Sequence, residues 1–162
     1  MICQIYPVKS TEEAFALIDA GAEYLGFAPG EVSKGRIPPE ENLKILKATE
    51  GKCVRVVLSK SDDEEGILRD AAFYRPDVLH LVSLHTSKFR ATKAFADKLR
   101  ACVPGMKFMH MLQMDEETKV EDALRLCEFS DYIILDTGLG ATGKTHDWNV
   151  SKEIVARCSV PV

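Results

Sequence analysis

The chain has 162 residues, 46% of them apolar, and 21 basic against 25 acidic side chains leave a net charge of −4. That is enough for one sizeable core in a single domain, and interspersed charges leave no electrostatic footprint for nucleic acid or an anionic membrane. No run approaches the roughly 18 apolar residues of a spanning helix, no signal-peptide layout opens the chain, and five scattered cysteines without C-x-x-C spacing exclude a disulfide framework or zinc site and point to a reducing cytoplasm.

In chain order, Ile2 to Tyr6 reads as a short apolar strand. Ser10 caps a helix, Glu13 completes a capping box, and Ala14, Leu17 and Ile18 form the apolar stripe that Gly21 stops. Tyr24 to Ala28 is the next strand, followed by a loop with Ser33, Lys34, Gly35 and Arg36. Pro38 and Pro39 start a helix carrying Leu43, Ile45 and Leu46. Cys53 to Leu58 is a strand, and Asp62 opens a helix with Ile67 and Leu68. The acidic cluster Asp62 to Glu65 suits a helix first turn, where the dipole favours it. Val78 to Val82 is a fourth strand, Ser87 to Cys102 a long helix, and Phe108 to Leu112 a fifth strand. Val120 to Phe129 is a further helix, leading into the apolar run Tyr132 to Leu135, which ends on Asp136. Asp147 or Asn149 caps a last helix through Val150, Ile154 and Val155.

Strand and helix therefore alternate six times, and short apolar strands joined by helices imply a parallel sheet with right-handed crossovers. Six units and an isolated Pro161-Val162, read as the opening of a seventh strand, suit a (β/α)₈ barrel short of roughly two βα units. An open doubly wound sheet of six strands is the alternative that length alone favours. The expectation is one α/β domain over residues 1–162, a TIM barrel incomplete at its C-terminus.

The stretch Asp131 to Trp148 carries the strongest chemical signal. A buried strand delivers Asp136 to its C-terminal end, and a loop with Gly138, Gly140, Gly143 and Lys144 follows. Gly138, Gly143, Lys144 and Thr145 satisfy the P-loop pattern, so a nucleotide site is one reading. A P-loop opens its helix at the Gly-Lys-Thr itself, whereas here the helix signals follow His146-Asp147-Trp148. A plain glycine-rich surface loop is another reading.

Leu135-Asp136 followed by Gly140-Ala-Thr-Gly-Lys-Thr-His-Asp-Trp148 resembles the sixth-strand signature of phosphoribosylanthranilate isomerases, G-[GA]-[TS]-G-K-T-F-D-W after an aspartate. Met-Ile-Cys3-Gln-Ile is similar to the family's first strand, K-I-C-G-I-T, with Gln4 for glycine and Tyr6 for threonine. Gly26-Phe27 with Ser33, Arg36, Ile37 and Pro39-Glu40 resembles G-F…S-x-R-x-[IV]-x-P-E. The fourth strand departs: the family's D-V-V-Q-L-H-G is here Asp77-Val-Leu-His-Leu-Val-Ser83, with His80 for glutamine, Val82 for histidine and Ser83 for glycine. The third strand ends Val56-Val-Leu-Ser59 where the family has V-F-V-N.

The resemblance implies a ribulose-phosphate-binding TIM barrel that performs an Amadori rearrangement of an aminoaldose to an aminoketose in tryptophan biosynthesis, with no metal or cofactor. It assigns Asp136 as the acid that opens the ribose ring and Cys3 as the base for the second sugar carbon, the two facing each other across the mouth. Arg36 is assigned to the anionic substrate, and Gly140, Gly143 and Lys144 to substrate binding on the loop. The family's phosphate turns follow strands seven and eight, beyond Val162. The partner is a small phosphosugar, and the chain a monomer or homodimer. On residues alone, Cys3 also reads as a small buried hydrophobe, Arg36 as a surface arginine, and His80 as a satisfied structural histidine. A diverged barrel that holds a phosphosugar or a protein partner without turnover is the second functional reading.

Overall fold

Alternation of short apolar strands with capped amphipathic helices forces the chain into one parallel sheet, seen in a computed structural model that describes residues 2–30, 36–82, 91–137 and 143–162. The strands are β1 Gln4–Ile5, β2 Tyr24–Phe27, β3 Val54–Ser59, β4 Val78–Leu81, β5 Lys107–Met114 and β6 Tyr132–Thr137. The helices are α1 Thr11–Asp19, α2 Pro39–Ala48, α3 Glu64–Tyr74, α4 Lys93–Cys102, α5 Val120–Cys127 and α6 Trp148–Arg157. All five pairings are parallel and the strand order is β1-β2-β3-β4-β5-β6. That is the consecutive order of a (β/α) barrel wall, not the reversing order of a doubly wound sheet.

Side-chain alternation gives the sheet two different faces. On the outer face Leu25, Phe27 and Val57 pack with Ile45 and Leu46 of α2, while Leu79, Leu81 and Phe108 pack with Ile67, Phe95 and Leu99. Leu112 and Ile133 meet Ile154 of α6. Each such side chain, withdrawn from water, contributes about 1.5–3 kcal/mol. The inner face is built from strand residues alone: Val56, Val78, Met109 and Tyr132, with Tyr24, Val54 and Ile134 packed against them.

The inner face curls on itself. Strands β2 and β6 are not neighbours, yet Tyr24 and Tyr132 meet edge to face with centroids 6.4 Å apart and hydroxyls at 3.5 Å. Lys107 Nζ donates to the Tyr132 hydroxyl at 3.4 Å and lies over its ring. These three side chains close the N-terminal end of the inner face. Strands β1 and β6 are the sheet's two edges, and the Ile133 amide on the β6 edge donates to the Pro161 carbonyl (3.0 Å).

The caps follow local chemistry, with shifts of a residue or more from the sequence reading. Ser10 accepts the Glu13 amide (3.1 Å), but Glu13 turns back to the Lys9 amide (2.7 Å), one residue before the expected box partner. Asp63, not Asp62, caps α3 through the Gly66 amide (2.7 Å). The fourth helix starts at Lys93, capped by Thr92, not at Ser87, which lies outside the described residues. Strand β5 extends to Met114 and β6 to Thr137, because their ladder continues through Gln113↔Asp136 and Met114↔Thr137.

Candidate active site

Asp136 is carried by β6, and alternation decides where it points. Tyr132 and Ile134 belong to the inner cluster and Ile133 and Leu135 to the outer one, so Asp136 shares the inner face at the strand's C-terminal end. Its Oδ1 accepts the Thr137 amide at 2.8 Å. Gly140 lies outside the described residues. Gly143 has φ +67°, and Lys144 lines a cleft of about 590 Å³ with Met114, Asp115, Glu116 and Thr137. The helix opens at Trp148, capped by Asp147 through the Asn149 amide (2.8 Å). No helix N-terminus therefore stands at Gly143-Lys144 to cradle a phosphate.

His146 fastens this loop. Its Nδ1 bonds the Thr137 hydroxyl at 2.8 Å and its Nε2 the Ser151 hydroxyl at 2.6 Å, and its ring stacks on Trp148 at 5.5 Å. One imidazole thus ties the end of β6 to α6 and fixes where the chain leaves Asp136.

The expected pairing of Cys3 with Asp136 is not formed. Register places Gln4 opposite Tyr24 and Ile5 opposite Leu25, so Cys3 lies ahead of the first pair, at the N-terminal end of β1. It also shares its face with Ile5, whose partner Leu25 points outward into the α2 layer. Cys3 is exposed and lines an outer cleft of about 440 Å³ with Ile5, Leu17, Ala20 and Glu23. Asp136 is on the other face at the other end. A short I-C-x-I match carries no register, whereas burial of one face and not the other does.

From β1 the side chain that reaches the mouth is Tyr6. The Val8 amide still donates to the Gly26 carbonyl (2.9 Å), so the chain runs along β2 past Ile5. A Cβ on Gly26 would stand 2.5 Å from Gln4 Nε2 and 2.7 Å from Tyr6 Cδ2; glycine there lets both side chains fold over β2. Arg36 comes from the following loop, which is closed by the Gly30 amide on the Ile37 carbonyl (3.1 Å). Gly30 has φ +148°, and a Cβ there would sit 2.8 Å from Arg36 Cδ, so both its backbone and its missing side chain place the guanidinium. Burial raises the Tyr6 phenol, and the Arg36 charge opposes that rise.

His80 is the penultimate residue of β4, as Asp136 is of β6. Val78 is in the inner cluster and Leu79 and Leu81 in the outer one, so the imidazole faces inward. It is 8% exposed, and neither ring nitrogen has a hydrogen-bond partner among the described residues. The expected satisfied structural histidine is therefore corrected. Burial pushes His80 down to about 4, and the Asp136 carboxylate acts against that fall. Gln113, opposite Asp136 on β5, completes the inner rim. The sequence reading passed over Gln113 and treated Tyr6 only as a departure; the register of β1 on β2 and of β5 on β6 brings both to the inner face.

Comparison with known proteins identifies the family and the fold. The family model for N-(5'-phosphoribosyl)anthranilate (PRA) isomerase matches residues 3–160. The N-(5'-phosphoribosyl)anthranilate isomerase of Methanocella arvoryzae is 28% identical over 98% of this chain and 74% of its own length. That of Haloferax volcanii is 32% identical over 93% of the chain and 66% of its own length. The chain thus spans about two thirds to three quarters of these relatives. The crystal structure of the Thermotoga maritima isomerase superposes with a TM-score of 0.73 at 23% identity, covering 98% of this chain and 73% of that one, and this likeness establishes the barrel fold. On the breadth of the family match, residues 3–160, the chain belongs to the N-(5'-phosphoribosyl)anthranilate isomerase family, named for an isomerisation in tryptophan biosynthesis.

Proposed function

We propose that the chain rearranges N-(5'-phosphoribosyl)anthranilate to its 1-deoxyribulose phosphate isomer, with Asp136 as the acid. The observation that carries this is Asp136 itself, an inward carboxyl at the C-terminal end of β6, the end on which barrel active sites are built. Protonating the ribose ring oxygen breaks its bond to the first sugar carbon while the anthranilate nitrogen forms a Schiff base. A base then takes the proton from the second carbon, and tautomerisation gives the ketose. No step requires a metal or cofactor.

Arg36, aimed over the mouth near Tyr6, supports the anionic end of the substrate; its planar fork suits a carboxylate. Gly140, Gly143 and Lys144, which follow Asp136 in the sequence, are proposed to bind the substrate. A solved relative, 20% identical, holds reduced 1-(o-carboxyphenylamino)-1-deoxyribulose 5-phosphate, a ligand of the size and charge this mouth would take. Five free cysteines support a reducing cytoplasmic setting. For assembly, monomer or homodimer is proposed, as a dimeric Thermotoga maritima relative has also been solved as generated monomers.

A second reading has one observation in its favour: Cys3, the base expected from the resemblance, is at the wrong end, which would suit a barrel that holds a phosphosugar without turnover. A coupled assay supplying authentic substrate separates the two. Turnover that disappears in Asp136→Asn supports the isomerase; substrate binding without turnover supports the holder.

A further inference from the structure

Resting on the isomerase reading, we infer that His80 supplies the base that Cys3 cannot: its imidazole, at the C-terminal end of β4 on the same inner face as Asp136, removes the proton from the second sugar carbon. The rearrangement needs two proton-exchanging groups around one sugar. At this end of the inner face the described strands carry two proton-exchanging side chains, His80 and Asp136. Both stand one residue from their strands' ends, with β5 between them.

The ring faces the inner side of the sheet, and among the described residues no protein group holds it. It is 8% exposed, yet neither nitrogen bonds to a protein group among the described residues, a costly state for a buried polar side chain. A substrate reaching the Asp136 carboxyl would bring hydroxyl and C–H groups alongside the imidazole. The other histidine buried in the sheet differs: His110 faces outward, with its Nδ1 on the Ser130 hydroxyl at 2.7 Å and its ring against Phe108 and Phe129.

The charged and titratable groups facing His80 favour a neutral ring. Asp136 on β6 is the one carboxylate acting on it. Lys107 on β5 is engaged with Tyr132 on β6 toward the other end of the inner face. His110, behind it on β5, is held neutral by burial and then by His80 itself, at about 3. The side chains beside it on β3 and on its own strand, Val56, Leu58 and Val78, are apolar. A neutral imidazole is the form that accepts a proton.

The proton balance closes. His80 takes the proton from the second carbon, and the C–H electron pair forms the double bond to the first carbon. The iminium π pair returns to nitrogen, and the resulting enamine regains a proton at the first carbon from the imidazolium as the second carbon becomes a ketone, its hydroxyl proton leaving to solvent. Asp136, deprotonated when it opens the ring, recovers its proton from water between turnovers.

The test measures turnover of N-(5'-phosphoribosyl)anthranilate by the wild-type protein, His80→Gln and His80→Ala. The expected result is a fall of about 10²–10⁴-fold in kcat in both variants, with KM changed only a few-fold and thermal midpoints preserved. Free imidazole should restore part of the rate to His80→Ala, which a merely structural role would not allow. Wild-type kcat in His80→Gln overturns the inference while leaving the isomerase reading intact; an inactive wild-type protein overturns both. Should the variants fail to fold, imidazole NMR of the wild-type protein decides. Titration with a reduced product, whose alcohol cannot react back, should shift the His80 ring signals, and unmoved signals overturn the proposal.

Discussion

The two ends of the inner face are built from similar residue types and satisfied in opposite ways. At the N-terminal end every polar group described above has a protein partner. Tyr24 and Tyr132 meet at 3.5 Å, and Lys107 completes them. The Tyr132 hydroxyl and then burial push the Tyr24 phenol up to about 12. On the outer face at the same end of the sheet, Arg55 forks onto Asp77 at 2.9 and 3.0 Å. At the C-terminal end, His80 has no partner among the described residues, and Asp136 accepts only a local bond from the Thr137 amide there. One end ties strand to strand; at the other, the described residues leave the His80 ring without such a tie. This is the division of labour that barrel topology imposes, because loops after the strands can vary while the turns before them secure packing.

The contrast can be broken first at Asp136. Asp136→Asn should lower kcat about 10²–10⁴-fold while leaving the thermal midpoint near wild type, since its side chain accepts the next residue's amide, a local bond that an asparagine carbonyl also accepts. Unchanged turnover in the assay would remove the acid from the mouth.

Acid should expose the cost of the two buried histidines. Their folded values lie at about 4 and about 3, below the ordinary 6.5, so the unfolded chain binds the extra protons. Stability is complete above pH 6.5 and falls as pH drops toward 4 and 3, by about 3 kcal/mol for His80 alone at pH 4. Urea midpoints for wild type and a His80→Gln/His110→Gln double variant at pH 7 and pH 4 check this. The variant should lose less on acidification, and an equal loss would contradict the neutral buried state.

At the other end the expected effect is on stability alone. Asp77 accepts the Arg55 backbone amide and two guanidinium bonds. Burial by itself would raise its carboxyl, but the Arg55 bonds together prevail and hold it below the usual range. Asp77→Ala strands a guanidinium that is 10% exposed with the Leu46 carbonyl at 3.2 Å, and should cost about 2–3 kcal/mol. Chemical denaturation reads that loss, while kcat measured well below the shifted midpoint should stay at wild type.

The smallest effect sharpens the comparison most. Cys3→Ser, at an exposed position outside the mouth, should change stability by less than about 0.5 kcal/mol and leave kcat within a factor of about two. A large loss of turnover would bring Cys3 back into the chemistry.

The sequence by itself determined the alternation of six strands and helices, the parallel sheet, the caps at Ser10 and Asp147, and the carboxylate near the end of β6. These are local: each depends on periodicity, a capping side chain or a long specific motif read within one element. Which residues share the mouth is not local. Cys3 and Tyr6 sit three positions apart on either side of the two-residue β1, and only register against β2, with Gln4 opposite Tyr24, decides which of them stands at the C-terminal end and inner face. His80 looked like an ordinary core histidine until the packing of β4 left both its nitrogens without a partner among the described residues. A strand's period of two tells which residues travel together; the neighbour it pairs with and the helix layer it covers decide which set faces the substrate.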